Sequence, residues 1–195
     1  MRLSHIEVNK DAPKPMVVLH GLLGSKTNWR GLCQLEGIAK HRKCYLVEMR
    51  NHATSDHHPV HNYNVMAEDV IRFADSMALD KFTVMGHSMG ARTAMTLACH
   101  YPERIDGVVS VDAAPKNEQE EYSFGSFAEK VIDFMCDMQN QDQVVTYNEA
   151  IEKAKSFFNG KPQLVTLVHR SLVFDKHNGK DDPVKFAINL NALKD

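Results

Sequence analysis

A serine framed by glycines is the clearest candidate for chemistry in this sequence. Residues 84–92 read VMGHSMGAR, which places Ser88 in a Gly-x-Ser-x-Gly pattern. An apolar segment precedes this motif and a helix-compatible segment follows it. A sharp strand-to-helix turn there would expose the serine hydroxyl as a nucleophile, and the N-terminus of the helix would favour developing negative charge. The alternative is a serine that caps an ordinary helix.

Acyl transfer to a serine also needs two hydrogen-bond donors for the oxyanion. The backbone N–H of Met89 is one expected donor, because it directly follows the serine. The second is expected from the loop after an earlier strand, where His20 and Gly21 follow the apolar run MVVL and the N–H of Leu22 comes next. The alternative for this segment is a plain strand-ending turn. The same loop is similar to a phosphate-binding loop, but the residue before Lys26 is not glycine and the glycine spacing is too short.

An acidic residue is expected to orient the base that activates the serine. Asp112 lies 24 residues after Ser88, at the end of the next predicted strand. Because the carboxyl ends of parallel strands meet at one edge of a sheet, this position is expected to face the same site. The alternative is an aspartate that caps the following loop, AAP.

The histidine that should accept the serine proton is not evident. Only His100, His169 and His177 follow Ser88 in the chain. His100 is expected at the far end of the helix, and the other two lie among predicted helices without a Gly-His loop. His87 is set aside, because consecutive side chains point apart in such a turn. The catalytic histidine is therefore unknown and is expected beyond residue 195.

The elements around these residues alternate between strand and helix. Apolar runs predict strands at 3–8, 16–20, 43–49, 81–85 and 105–112, and helices at 28–39, 64–79 and 89–100. This order predicts an α/β fold with a mostly parallel sheet and helices on both faces. Beyond Pro115 the pattern becomes mostly helical, with predicted helices at 127–138, 148–158 and 163–173. We therefore expect a core over residues 1–114 and a helical region over residues 115–195.

Composition excludes several function classes. The 195 residues carry 23 basic and 25 acidic side chains with no basic run, so nucleic acid is not an expected partner. No apolar run reaches the length of a membrane span, and the first residues have no signal-peptide pattern. None of the four cysteines is in Cys-x-x-Cys spacing, which favours buried reduced thiols in an intracellular protein, cytoplasmic or mitochondrial.

A histidine-rich loop raises the alternative of a metal site. Asp56, His57, His58 and His61 lie close together in the sequence, but their spacing fits no specific zinc pattern. Exposed loop histidines are the simpler interpretation. No metal and no other cofactor is therefore expected.

Four segments together resemble the alpha/beta-hydrolase fold family, and within it the branch of abhydrolase domain-containing protein 11 and bacterial esterases. They are HGLLGSKTNW, EMRNHATSDHHP, VMGHSMGARTAM and VVSVDAAP, and the resemblance covers residues 3–112 well. It implies a serine hydrolase that acts on a small-molecule carboxylic ester or thioester through an acyl-enzyme on Ser88. It also implies that the helical region is a cap inserted after the sixth strand.

The resemblance further implies two strand–helix units after the cap, the second carrying the histidine. The chain is therefore expected to be C-terminally incomplete, with the strand Ile105–Asp112 left as an exposed sheet edge. Some relatives carry their acid at the position of Asp112 and others in the stretch matching INLNAL. Asn191 stands in that stretch here and cannot supply a negative charge, which favours Asp112.

Three departures from the family pattern lie near the expected site. Glu48 and Ala53 replace the usual aspartate and glycine after the strand ending near residue 48, and Ala91 replaces a glycine just after the serine motif. Slight backbone adjustment is expected at the small alanines, without loss of the fold. The alternative function is a catalytically inactive, hydrolase-like interaction protein. The oligomeric state is left open.

Overall fold

The chain forms two compact units in a computed structural model that describes residues 1–115, 128–140, 145–159, 161–173 and 184–194. The first unit ends at Glu118 and the second begins at Gln119. Within the described ranges, every helix is too short or too polar to cross a lipid bilayer.

The first unit is built on a five-stranded sheet. Its strands are β1 (His5–Val8), β2 (Lys14–Leu19), β3 (Arg42–Val47), β4 (Phe82–His87) and β5 (Ile105–Val111). They lie in the order β1-β3-β2-β4-β5, and all neighbours are parallel except β1, which pairs antiparallel with β3. The predicted mostly parallel sheet is confirmed. Among the described residues β5 is an edge strand, as expected for this segment.

Helices cover both faces of the sheet. They are α1 (Arg30–Cys33), α2 (Glu36–Ala39), α3 (Tyr63–Ser76) and α4 (Met89–His100). Successive strand side chains point to opposite faces, so Val17 and Leu19 pack with residues of α3 and α4. Met16 and Val18 pack in a second cluster with Cys33 of α1. The two hydrophobic clusters hold the ends of β2 and β4 in fixed positions. Ser88 directly follows β4.

The single helix predicted over residues 28–39 is wrong. Two four-residue helices, α1 and α2, replace it, and Leu35 between them has an extended backbone with φ −63° and ψ 140°. Leu32 and Leu35 are 38% and 57% exposed, whereas Cys33 is fully buried. Two glycines in the segment, Gly31 and Gly37, lower its helix propensity, so the packing of Cys33 on the sheet decides the local structure instead.

The start of α3 differs from the prediction, whereas the bounds of α4 agree with it. Asn62 caps α3, two residues before the predicted helix start at residue 64, and its side chain accepts a hydrogen bond from the Val65 N–H at 3.0 Å. The predicted bounds of α4, Met89–His100, are confirmed. The helix ends where Pro102 follows Tyr101, because the residue before proline disfavours helical backbone.

The cysteines are all free thiols in the structure. Cys33, Cys44 and Cys136 are buried as predicted, whereas Cys99 is exposed. Cys99 lies near the C-terminal end of α4, on a part of that helix that does not face the core.

A buried ion pair ties α3 to the chain after β3, and we expect Asp69→Ala to cost about 3 kcal/mol or more of unfolding free energy. The Asp69 carboxylate lies 2.6 Å from the Arg50 guanidinium, with side chains 1% and 4% exposed. Removing the acid leaves the buried Arg50 charge without its partner.

The matched control is Asp75→Ala. Asp75 also pairs at 2.6 Å, with Arg104, but is 57% exposed, so it should cost about 1 kcal/mol or less. Urea unfolding measures both, and equal losses would contradict this account.

The second unit is predominantly helical in its described residues. Its helices are α5 (Ala128–Gln139), α6 (Tyr147–Phe157), α7 (Pro162–Ser171) and α8 (Leu190–Lys194). The first three lie within one residue of the predicted starts, whereas α8 and a short antiparallel pair, β6 (Leu172–Val173) with β7 (Lys185–Phe186), were not predicted. Thr146 and Glu149 form a capping box at the start of α6. That this unit serves as a cap remains a prediction.

Candidate active site

Ser88 sits in a strained turn between β4 and α4. Its backbone has φ 50° and ψ −112°, a region that residues with a side chain rarely adopt. The turn is held by hydrogen bonds: the Ser88 N–H donates to the Val111 carbonyl at 3.0 Å, and the Ser88 carbonyl accepts from Ala91 and Arg92, each at 3.1 Å. The sharp turn predicted from the glycine pattern is therefore present, held from both β5 and α4.

The glycines of the motif allow α4 to approach the sheet closely. A Cβ at Gly86 would lie 2.1 Å from the Gly90 carbonyl oxygen, and a Cβ at Gly90 would lie 2.6 Å from the Leu19 carbonyl oxygen. Only glycine fits such backbone contacts. Ala91, the predicted departure, is fully buried next to them, so the fold accommodates its methyl group.

The loop after β2 lies against this turn. A Cβ at Gly21 would be 2.6 Å from Nδ1 of His87, so the two segments are in close contact. Within the loop, the Gly24 N–H donates to the Gly21 carbonyl at 2.9 Å, and the Leu23 N–H donates to Nε2 of His52 at 3.3 Å.

The two N–H groups expected to hold an oxyanion are available for that role. No acceptor for the Leu22 N–H is found among the described residues. Met89 lies in the first turn of α4, where backbone N–H groups have no partner within the helix. The loop after β2 and the serine turn thus bring the two predicted donors to the same region of the first unit.

Asp112 lies beside the serine turn. Parallel pairing aligns His87 of β4 with Val111 of β5, and Asp112 follows directly with φ 54°. Its side chain is 87% exposed, and its Oδ2 is 3.9 Å from Nε2 of His87, too far for a hydrogen bond. The His87 ring also packs on Trp29, with ring centroids 5.6 Å apart. The carboxylate is therefore near Ser88 and open to another partner.

Within residues 1–115, the structure brings no candidate base to Ser88. His100 ends the 12-residue helix α4, roughly 16 Å along the helix axis from the serine. His169 is exposed on α7 with its ring against Tyr147, and His177 lies outside the described residues. Within residues 1–115, none of the hydrogen bonds of an imidazole involves the Ser88 hydroxyl.

Two histidines of the loop after β3 are held neutral by their surroundings. His52 donates from Nδ1 to the Arg50 carbonyl at 2.8 Å, and burial holds its pKa well below 6.5. Burial, with the Arg50 charge, lowers the pKa of His61 to about 4. His57 and His58 are exposed, and the described residues contain no group of His, Cys, Asp and Glu side chains that could hold a metal ion. The buried contacts of His52 indicate a structural role for this side chain.

Acidification should therefore destabilise the fold in a defined window. Below its ordinary pKa of 6.5, His61 takes up a proton in the unfolded chain, whereas in the folded protein it does so only near pH 4. The unfolded state binds more protons between these values, so the unfolding free energy falls as the pH falls through them. We expect His61→Gln to remove about 2 kcal/mol of the loss between pH 7 and pH 5. Urea unfolding at both pH values measures it, and identical losses in the two proteins would contradict the assignment.

One feature of the site was missed in the sequence. Glu48, noted only as a departure from a family pattern, is 1% exposed and contacts His20 and Lys26 of the loop after β2. The sequence signal for its burial was a charged residue that directly continues an apolar strand. Ala53, which stands where the family pattern has a glycine, has a left-handed backbone with φ 41°. The backbone is therefore strained at this alanine.

The chain is similar in sequence to a known protein family and to several of its members. A family model described as the alpha/beta hydrolase fold matches residues 14–132. An abhydrolase domain-containing protein of Schizosaccharomyces pombe is 34% identical over 136 residues, which are 70% of this chain and 48% of that protein. Esterase YbfF of Escherichia coli is 38% identical over 107 residues, 55% of this chain and 41% of that protein.

A solved structure shares the fold. The structure of a marine microorganism esterase superposes with a TM-score of 0.83 at 24% identity, over 98% of this chain and 70% of the esterase chain. The chain spans about half the length of the curated relatives it matches, 48% and 41% in the two cases above.

Proposed function

The chain belongs to the alpha/beta-hydrolase family, and from that premise we propose that it is a serine hydrolase acting on small-molecule carboxylic esters or thioesters through an acyl-enzyme on Ser88. The esterase among its relatives supports this class of substrate. The observation that carries the proposal is the Ser88 backbone, with φ 50° and ψ −112°. Such strain costs about 1–3 kcal/mol, and its effect is to present the hydroxyl next to the N-terminus of a 12-residue helix.

The proposed reaction begins when Ser88 Oγ attacks the carbonyl carbon of the ester. A base takes the hydroxyl proton as the new C–O bond forms, and the carbonyl oxygen becomes an oxyanion. The N–H groups of Leu22 and Met89 donate to that oxygen, and the N-terminal end of α4 adds favourable potential. The alkoxide or thiolate then leaves with the proton, and water releases the acyl group in the same way.

Asp112 is assigned as the acid that orients the base. Its carboxylate is exposed within its unit and lies beside the serine turn. We assign the base itself to a histidine outside residues 1–115, because none of the imidazole hydrogen bonds within that range involves the Ser88 hydroxyl. An aspartate in this role fixes the imidazole orientation and stabilises the imidazolium that forms.

The second candidate is an inactive interaction protein with a hydrolase fold. The observation in its favour is that no histidine within residues 1–115 is hydrogen-bonded to Ser88. The geometry of the serine turn speaks against it, because a binding scaffold has no need of a strained, glycine-enclosed serine.

Covalent capture by a fluorophosphonate distinguishes the two candidates. The full-length product of the gene is incubated with the probe, digested and analysed by mass spectrometry. The hydrolase is expected to carry the phosphonate on the peptide that contains Ser88, and to lose hydrolysis of a p-nitrophenyl ester in parallel. Absence of capture together with absence of turnover would instead favour the interaction protein.

A further inference from the structure

Glu48 is a buried carboxylate directly after β3. The residue is 1% exposed, and burying an ionised carboxylate is costly unless charged groups and hydrogen-bond donors surround it. The groups that surround it therefore show what it holds in place.

Among the described residues, the partners of its carboxylate lie on the loop that follows β2. Oε1 accepts a hydrogen bond from the Lys26 backbone N–H at 3.0 Å and lies 3.2 Å from Nε2 of His20, which itself accepts a hydrogen bond from the Met49 N–H at 3.0 Å. Oε2 lies 3.6 Å from the Lys26 ammonium, which is itself bonded to Ser4 and Thr54 hydroxyls at 2.5 and 3.0 Å. One carboxylate thus contacts both the first and the last residue of the segment 20–26.

The middle of the same segment is held from a second point. The Leu23 N–H donates to Nε2 of the buried, neutral His52 at 3.3 Å, and Leu23 has a left-handed backbone with φ 59°. Leu22 lies between these attachment points. Its N–H direction therefore depends on how firmly residues 20, 23 and 26 are held, although no atom of Glu48 is bonded to Leu22.

We propose that Glu48 is a positioning residue, which fixes the oxyanion-binding N–H of Leu22 by bonding to Lys26 at one end of the segment 20–26 and packing against His20 at the other; this role rests on the function proposed above. An oxyanion donor must lie about 2.7–3.1 Å from the developing charge, and a misplacement of about 1 Å can cost about 10²-fold in rate. The Lys26 ammonium also offsets the carboxylate charge, which would otherwise oppose the negative charge on the oxyanion.

The test compares Glu48→Ala, Glu48→Gln and a control, Asp75→Asn, in the full-length protein. The control removes the charge of an ion pair with Arg104, away from the segment 20–26. For each protein, fluorophosphonate capture of Ser88 is followed over time and separated into a noncovalent binding constant and a maximal capture rate. Amide hydrogen exchange of peptides covering residues 20–26 and the melting temperature are measured alongside.

The two Glu48 variants should lower the maximal capture rate to different extents. Glu48→Ala is expected to lower the maximal capture rate about 10²-fold with binding of the probe changed less than about twofold, and to speed exchange in residues 20–26. Glu48→Gln keeps an oxygen acceptor for the Lys26 N–H, so it should recover about half of this loss on a logarithmic scale. Asp75→Asn should match the wild type in capture.

Two results would overturn the proposal. The first is capture by Glu48→Ala at the wild-type rate. The second is a loss shared equally by binding and capture, in proportion to the fall in melting temperature, which would indicate a merely structural role. Failure of the proposed function has a different signature: the wild type itself is not captured, although exchange in residues 20–26 still responds to Glu48→Ala.

Discussion

Ser88→Ala is expected to abolish fluorophosphonate capture by the full-length protein and to lower its ester hydrolysis by at least about 10³-fold. The hydroxyl is the only part of the side chain removed, and alanine can occupy the same backbone, because the turn is held through the N–H and carbonyl of residue 88 and not through the side chain. The variant should therefore fold, with a melting temperature close to that of the wild type.

The control for this prediction is Ser76→Ala. Ser76 ends α3, where its hydroxyl donates to the Phe73 carbonyl at 2.7 Å, so this variant loses a serine hydroxyl away from the site. It should keep the wild-type rate of hydrolysis. Hydrolysis that persists in Ser88→Ala after rigorous purification would show that another group carries the reaction.

Gly86→Ala is expected to give the largest loss of stability, more than about 3 kcal/mol. Its Cβ would lie 2.1 Å from the Gly90 carbonyl oxygen and 2.5 Å from the Ala91 nitrogen. Both atoms belong to the backbone of the first turn of α4, so no side chain can move aside to make room. The helix would have to shift away from β4, and the core cluster that it shares with β2 and α3 would open.

Gly107→Ala provides the matched control. Gly107 lies on the neighbouring strand β5, and a Cβ there would meet no atom within 4 Å. Its substitution should change the unfolding free energy by less than about 1 kcal/mol. Denaturant unfolding or, for an insoluble variant, the soluble yield compares the two. Similar losses at both glycines would show that the close contact at Gly86 is relieved at little cost.

Local patterns were sufficient to predict the serine turn and α4. Gly86 and Gly90 carry their own steric requirement, and the helix start and stop signals lie within a few residues of each other. The single helix over residues 28–39 was predicted wrongly, because the apolar residues in that segment do not reveal which of them the sheet will cover. Cys33 takes that position instead.

Contacts between distant segments were beyond reach from the sequence. Glu48 and Lys26 are 22 positions apart and meet only because β2 and β3 are adjacent and parallel. The burial of His52 and His61 depends in the same way on the loop after β3 folding back on α3 and on the loop after β2. Asp112 was predictable as a strand-end residue, but its distance from any base was not.

The packing of Trp29 on His87 has a practical consequence. Trp29 is the one tryptophan in the 195 residues, and its ring lies 5.6 Å from that of His87, the residue before Ser88. The intrinsic fluorescence of the whole chain excited at the indole band therefore originates beside the serine turn. Arrival of a ligand would change a signal that has no other tryptophan as its source in the 195 residues, so the protein carries its own optical probe of this site.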